Sequence, residues 1–148
     1  MGGGVAREDF RFSHRLRVRW AEVDRQGIVF NGHYLMYFDV AITEYWRAAG
    51  VAYPEGLLQA GSDLYVVKAT VEYHRSAEYD DDIDVCARVA RIGRSSMLFR
   101  LEIHRGDDHL ASGEVVYVNA DPATRRSASV PAMLREAIAR LEGRVPEA

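Results

Sequence analysis

One segment constrains the fold more than any other: residues 32–49, which read GHYLMYFDVAITEYWRAA. Apolar residues recur in it at intervals of three and four, the spacing of one helix face, and they cover most of the other faces as well. Gly50 follows, at a position where helices commonly end in a left-handed residue. Because a helix that is apolar nearly all round must be buried on nearly all sides, the sequence predicts a long central helix that other elements enclose.

Alternation of apolar and polar residues predicts strands on both sides of this helix. A short strand is expected at Leu16 to Trp20, followed by a polar turn over residues 21–27. Four longer strands are expected near residues 65–73, 82–89, 96–104 and 110–118, with Gly106 to Asp108 as a hairpin turn. Ser129 is expected to cap a last, amphipathic helix. This order predicts an α+β fold, an antiparallel sheet of about five strands curled around one central helix.

Composition limits the class of protein. A chain of 148 residues that is 48% hydrophobic and 28% charged is typical of one folded domain. We expect this domain at residues 13–143, with a mobile tail at residues 1–12 and a second tail at residues 144–148. A net charge of -3 argues against a nucleic-acid partner. Cys86 has no second cysteine to pair with, and no apolar run is long enough to insert in a membrane, so we expect a cytoplasmic protein.

The turn before the central helix carries a second pattern. Residues 18–50, VRWAEVDRQGIVFNGHYLMYFDVAITEYWRAAG, resemble the signature of acyl-CoA thioesterases of the 4-hydroxybenzoyl-CoA thioesterase type. The shared positions are Trp20, Asp24, Gly27, Ile28, Val29, Phe30, Tyr34, Phe38, Glu44 and Gly50. The resemblance implies the hotdog fold, which matches the architecture expected above, and hydrolysis of a coenzyme A thioester with a short-chain or aryl acyl group.

The resemblance makes Asp24 the catalytic carboxylate. It also implies that a backbone amide at the start of the central helix, by position that of Asn31, polarises the thioester carbonyl. Free N–H groups at a helix N-terminus suit an oxygen that gains negative charge. Asp24 then either attacks the thioester carbon or activates a water, and the sequence leaves both open. The structural alternatives are an Asx-type turn for Asp24 and a helix N-cap for the Asn31 side chain. Some relatives with this motif carry His at the position of Asn31, so the side chain here differs from theirs.

Four more residues near this turn are candidate substrate contacts: Gly27, Phe30, His33 and Tyr34. Gly27 is expected to supply a positive φ that helps to position the amide. For Tyr34 the alternative is a place in the core, and for His33 a place on the surface or in an interface.

Coenzyme A carries phosphates that need guanidinium or N–H partners. By resemblance the candidates are Arg94, Ser95 and Ser96, in an expected hairpin turn, and Arg126 before the last helix. The alternative for each arginine is a solvated side chain. No further cofactor is expected, because coenzyme A is part of the substrate, and the resemblance implies a homodimer or homotetramer.

Other chemistries find less support in the sequence. The five histidines show no paired ligand spacing, so no metal site is expected, and there is no Gly-x-Ser-x-Gly elbow or P-loop. A hotdog dehydratase would need a catalytic histidine motif that nothing here matches. The remaining alternative is a noncatalytic protein that binds acyl thioesters or acts as a scaffold.

Overall fold

The computed structural model describes residues 7–148 and contains five strands and three α-helices in that range. In chain order they are β1 (Phe12–Arg17), α1 (His33–Ala48), α2 (Glu55–Gln59), β2 (Asp63–Tyr73), β3 (Asp82–Ile92), β4 (Ser96–Arg105), β5 (Asp108–Ala120) and α3 (Ala132–Glu142). The strands form one antiparallel sheet in the order β1-β3-β4-β5-β2. None of the helices in the described range is long and apolar enough to cross a lipid bilayer.

The long helix α1 packs its aromatic face on the sheet, as predicted. Its buried residues are Tyr34, Tyr37, Phe38, Ala41, Ile42, Tyr45 and Trp46. The rings of Tyr45 and Trp46 meet the ring of Phe99 on β4 edge to face, with centroids 5.2 and 5.6 Å away. The helix is less enclosed than its composition predicted, because Leu35 and Met36 are 38% and 36% exposed in the single chain.

Gly113 on β5 allows α1 to approach the sheet closely. A Cβ atom at this position would collide with the carbonyl oxygen of Thr70 on β2 and with the ring of Phe38 on α1. The Phe38 ring is fully buried there. The distance between the helix and this part of the sheet therefore depends on a residue without a side chain.

The predicted first strand is displaced in the structure. β1 begins at Phe12 and ends at Arg17, because the chain leaves the sheet where the Val18 N–H donates to the Asp81 carbonyl oxygen (2.9 Å). Trp20, expected to end the strand, instead begins a short 3-10 helix, Trp20–Glu22, and is 72% exposed.

Both ends of the described range contact the sheet. Arg7 pairs with Asp84 on β3 at 2.7 Å, and the Ile92 N–H donates to the Glu147 carbonyl oxygen at 2.7 Å. Residues on both sides of the predicted domain, 13–143, thus contact the sheet. Residues 1–6 of the predicted N-terminal tail lie outside the described range. The expected cap of α3 is wrong, because the N-cap is Pro131 rather than Ser129 and makes no side-chain hydrogen bond.

We predict that Gly113→Ala lowers the free energy of unfolding by about 1–3 kcal/mol, since overpacking forces the Phe38 ring or β2 to move. Gly56→Ala is the matched control: a new Cβ in α2 has no neighbour nearer than 3.9 Å, and alanine is favoured over glycine in a helix by roughly 0.5–1 kcal/mol. Urea denaturation measures both. Equal effects of the two substitutions would contradict a close approach at Gly113.

Candidate active site

A tight turn places Asp24 in front of α1. The Asp24 N–H donates to the Ile28 carbonyl oxygen at 2.9 Å, and the Gly27 N–H donates to the Asp24 carbonyl oxygen at 3.0 Å. Val23 and Val29 then pair as an antiparallel bridge. Gly27 has φ +80°, which residues with a side chain adopt at a steric cost, so the predicted positive φ is confirmed.

Asp24 is partly buried, and one oxygen of its carboxylate is hydrogen-bonded within this turn. Its Oδ1 accepts the Gln26 N–H at 2.8 Å, the geometry of an Asx turn. No hydrogen bond to Oδ2 is found among residues 7–148. The carboxylate is therefore held in place by one oxygen while the other is available to a substrate or a water.

A cavity of about 440 Å³ opens beside this carboxylate. Its lining residues are Asp24, Gln26, Ile28, Val29, Phe30, Asn31, Tyr34, Tyr73, Arg75 and Ser76. The structure thus brings together four of the six residues proposed around the reacting group: Asp24, Phe30, Asn31 and Tyr34. Gly27 and His33 are not in the lining; His33 is partly buried on the first turn of α1 and meets Phe30 edge to face at 5.9 Å.

The helix start lies one residue later than an Asn31 cap requires. The His33 N–H donates to the Phe30 carbonyl oxygen and the Tyr34 N–H to that of Asn31, so Gly32 already has helical angles and is the N-cap. The alternative, a helix cap by the Asn31 side chain, is therefore wrong. Within the described range the Asn31 N–H donates to no backbone carbonyl, and the residue is exposed at the cavity.

The end of β2 supplies the part of the cavity that the sequence analysis missed. The Tyr73 hydroxyl donates to the Asn31 carbonyl oxygen at 2.9 Å, and its ring meets that of Tyr34 edge to face at 5.1 Å. Arg75 pairs with Asp108 at 3.1 Å. These contacts join residues that lie 33 to 42 positions apart in the chain, and no local pattern in the sequence marks such contacts.

Two buried side chains, Tyr34 in the cavity lining and Glu22 before the Asp24 turn, hold the segments around the cavity together. The Tyr34 hydroxyl accepts the Ala77 N–H at 2.9 Å, and burial raises the pKa of Tyr34. Glu22 is buried beside the start of the turn and accepts hydrogen bonds from the Tyr37 hydroxyl (2.8 Å) and from the backbone N–H (2.9 Å) and Nε (2.7 Å) of Arg19.

Burial by itself raises the pKa of Glu22, but these hydrogen bonds together outweigh it and lower the pKa. The Glu22 carbonyl oxygen also accepts the Phe30 N–H at 3.0 Å. Glu22 therefore ties both ends of the Asp24 turn to Tyr37 on α1.

The candidate coenzyme A contacts form a second group. The turn between β3 and β4 carries Arg94 and Ser95, and Ser96 is the first residue of β4. Arg135 on α3 donates to the carbonyl oxygen of Gly93 in this turn at 2.6 Å. The Val130 N–H donates to the Arg94 carbonyl oxygen at 2.8 Å, which joins this turn to the loop before α3. The side chains of Arg94 and Arg126 are exposed on these two segments.

This second group lies far from the Asp24 cavity in one chain. Ser96 pairs with Val118, which pairs with Tyr65 near the start of β2, whereas Tyr73 at the cavity is eight residues further along the same strand. At about 3.3 Å per residue the separation is roughly 26 Å. A single copy therefore does not bring the turn and the cavity into one site.

Comparisons with known proteins place the chain in a family. Residues 26–112 match the profile of the thioesterase superfamily. The chain is 30% identical over 96 residues to a putative esterase of Aquifex aeolicus, covering 65% of this chain and 74% of that protein. It is 27% identical over 135 residues to the acyl-CoA thioesterase YbgC of Haemophilus influenzae, covering 90% and 98%.

A solved structure of a thioesterase also resembles this chain. A thioesterase from Thermus thermophilus, determined in complex with coenzyme A and zinc, superposes with a TM-score of 0.78 at 29% identity, over 93% of this chain and 98% of that chain. The chain belongs to the thioesterase superfamily. This confirms the predicted hotdog fold and the predicted class of enzyme, a thioester hydrolase.

We predict that Glu22→Gln lowers the free energy of unfolding by about 1.5–3 kcal/mol at neutral pH, as for loss of hydrogen bonds to a charged group. The lowered pKa in the folded state means that the ionised carboxylate stabilises the fold above the unfolded-state pKa of about 4.3. That stabilisation is lost as the pH falls through the folded-state pKa. The difference between parent and variant should therefore be constant near neutral pH and shrink in acid.

Urea denaturation over a pH series measures this difference. Glu78→Gln is the control, because this exposed carboxylate makes no hydrogen bond among the described residues, and it should change stability by less than about 0.5 kcal/mol. A stability difference for Glu22→Gln that stays the same in acid would contradict the assigned role.

Proposed function

We propose that this protein hydrolyses a thioester of coenzyme A to the free acid and coenzyme A, with the Asp24 cavity as its reaction centre. One observation carries the proposal: Asp24, with one carboxylate oxygen free of hydrogen bonds, and Asn31, an exposed residue whose N–H donates to no backbone carbonyl in the described range, line the same cavity at the N-terminal end of α1. Its relatives named as acyl-CoA thioesterases agree with it.

The Asn31 amide is suited to bind the thioester carbonyl oxygen. Backbone N–H groups and the positive end of the helix dipole stabilise negative charge at a helix N-terminus. The carbonyl oxygen gains such charge when the thioester carbon is attacked, and preorganised donors lower the barrier most at that stage. The Tyr73 hydroxyl, bonded to the Asn31 carbonyl oxygen, holds the peptide group that precedes Gly32.

Asp24 supplies the carboxylate, and its geometry suits two mechanisms. In the first, Oδ2 attacks the thioester carbon, the C–S bond breaks to release the coenzyme A thiolate, and water then hydrolyses the mixed anhydride. In the second, the carboxylate takes a proton from a water whose oxygen attacks the same carbon, the C–S bond breaks to give the free acid, and the departing coenzyme A thiolate takes up the proton. Both use the oxygen that the Asx turn leaves free.

The acyl group is expected to contact the apolar part of the lining. The apolar and aromatic residues in the lining are Ile28, Val29, Phe30, Tyr34 and Tyr73. Aliphatic and aromatic walls of this kind suit a short-chain or aryl acyl group.

A second copy of the chain would bring the coenzyme A contacts to the cavity. If Arg94 and Arg126 hold phosphates, they must come from another copy, because in one chain their segments lie at the far end of the sheet. The outer strand β2 exposes Val66 and Val67, 55% and 59% accessible, next to an unpaired strand edge. We therefore propose a homodimer or homotetramer.

One alternative has an observation in its favour. Because Oδ1 of Asp24 accepts the Gln26 N–H, the residue can be explained as a turn former in a protein that binds acyl thioesters without hydrolysing them. The two functions differ in whether thiol is released from the bound ester.

We predict that Asp24→Asn lowers kcat on the best substrate of an acyl-CoA panel by at least about 100-fold, the scale of acid-base catalysis. Asparagine keeps an oxygen that accepts the Gln26 N–H, so the turn should persist and the loss should reflect the carboxylate. Release of free thiol from aryl and short to long acyl-CoA esters gives the rates.

Asp121→Asn is the matched control, since Asp121 forms the same kind of turn with the Ala123 N–H at 2.8 Å outside the cavity. It should leave kcat within about twofold, in line with a surface substitution. Thiol release by neither parent nor variant, with coenzyme A esters bound by both, would instead support the noncatalytic binding protein.

We also predict that Arg94→Gln and Arg126→Gln raise KM for a coenzyme A ester by about tenfold, as expected from loss of one charge-assisted hydrogen bond. Rates with the matching N-acetylcysteamine thioester, which lacks the phosphates, should not change. Arg140→Gln on α3 is the control. Equal effects on both esters, or a light-scattering mass of one 16.7 kDa chain, would contradict a phosphate site shared between copies.

A further inference from the structure

A second cluster of functional side chains lies at the hairpin between β4 and β5. Glu102 and His104 are on β4, and His109 is on β5 directly opposite His104. Their ligand atoms all lie within 4.8 Å of one another. The hairpin turn separates His109 from the other two residues in the sequence, so the proximity of the three side chains depends on the register of the hairpin.

The cluster is on the face of the sheet turned away from α1. Side chains alternate between the two faces of a strand, and Leu101 and Ile103, the neighbours of Glu102 on β4, belong to the core that packs on α1. The Asp24 cavity includes neither Glu102 nor the two histidines. The cluster is therefore separate from the proposed reaction centre.

The cluster is also largely removed from water. The side chains of His104 and Glu102 are only 8% and 10% exposed, and that of His109 is 41% exposed. The His104 Nε2–H donates to Glu102 Oε1 at 2.8 Å, and His109 Nε2 is 3.8 Å from the same oxygen. Within the described range these two imidazoles are the only side-chain partners of the Glu102 carboxylate.

The two rings are already arranged side by side. The rings of His104 and His109 stack with centroids 4.8 Å apart and planes 13° from parallel. His109 Nε2 is also 3.0 Å from the Ala111 carbonyl oxygen, to which it donates when protonated. An ion bound by this nitrogen would therefore replace its hydrogen bond to Ala111, as it would replace the proton between His104 and Glu102.

We infer that Glu102, His104 and His109 form a binding site for a divalent cation of the zinc type. Two imidazoles and one carboxylate are a common set of three protein ligands for Zn²⁺, with a fourth position for water. Bonds of about 2.0–2.1 Å to a tetrahedral ion place ligand atoms roughly 3.3 Å apart. The observed distances of 2.8 and 3.8 Å from Glu102 Oε1 bracket that value. All three ligand atoms lie within 4.8 Å of one another, so rotation of the two nearly parallel rings would direct their nitrogens at one ion without movement of the strands.

The charges of the cluster favour the same ion. Zn²⁺ would take the place of the proton between His104 and Glu102 and pair directly with the carboxylate. The borderline-soft imidazoles favour Zn²⁺ over Mg²⁺ or Ca²⁺, which prefer oxygen ligands. The inference gives the ion no part in thioester hydrolysis.

The test is titration of tag-free, chelator-treated protein with ZnCl₂, followed by calorimetry and thermal unfolding. The parent should bind one zinc ion per chain and unfold at a higher temperature with zinc. Glu102→Gln and His109→Gln should each weaken binding by at least about 100-fold, because loss of even an outer contact costs 10–100-fold. His14→Gln, on β1 outside the cluster, should bind zinc as the parent does.

A measurement on the parent alone guards against variants that fail to fold. In NMR spectra of the imidazole nitrogens, ZnCl₂ should shift the His104 and His109 signals and leave those of His14 in place. Absence of zinc binding by the parent, or equal binding by all variants, would overturn the inference and leave an ordinary ion pair between carboxylate and histidines.

Discussion

The close packing of α1 on the sheet is the constraint on which the rest of the structure depends. The helix presents a continuous aromatic face, and Gly113 leaves room for the Phe38 ring against β5. Burial of this face drives the packing, at about 25 cal/mol per Å² of apolar surface. Once the helix is placed in this way, its N-terminus lies beside the end of β2.

The candidate site follows from that placement. The Asp24 turn enters the helix directly, so the carboxylate and the Asn31 amide are brought to one cavity by local geometry. Tyr73 closes the other side through its bond to Asn31, and Glu22 anchors the turn to Tyr37 inside the protein. The apolar core thus supports a small polar group at its edge, where burial strengthens the hydrogen bonds that hold it.

The parts that could be predicted from the sequence are those encoded locally. The helix period and the alternation of the strands are contiguous patterns, and they predicted the central helix and most of the sheet. The resemblance carried by residues 18–50, also contiguous, gave four of the cavity residues. The first strand was misplaced because Val18 and Trp20 continue the alternation after the chain has left the sheet. The pairing of β2 with β5 rather than with β3, and with it the contribution of Arg75 and Ser76, depends on long-range packing that no short pattern reports.

The cluster of Glu102, His104 and His109 could not be predicted from the sequence for the same reason. His104 and His109 are not spaced as ligands in the sequence, and only the hairpin register makes them neighbours. The predicted turn at Gly106 was close to correct, but a shift of one residue in register would have moved one imidazole to the other face of the sheet. Side-chain clusters of this kind therefore appear only once the pairing is known.

The central claim concerns where the thioester carbonyl binds, and a structure with a non-hydrolysable acyl-CoA thioether tests it most directly. The account predicts that the acyl carbonyl oxygen accepts a hydrogen bond from the Asn31 N–H, that its carbon faces Asp24 Oδ2, and that the phosphates contact Arg94 or Arg126 of a second copy. An acyl group bound outside the Asp24 cavity would contradict the account.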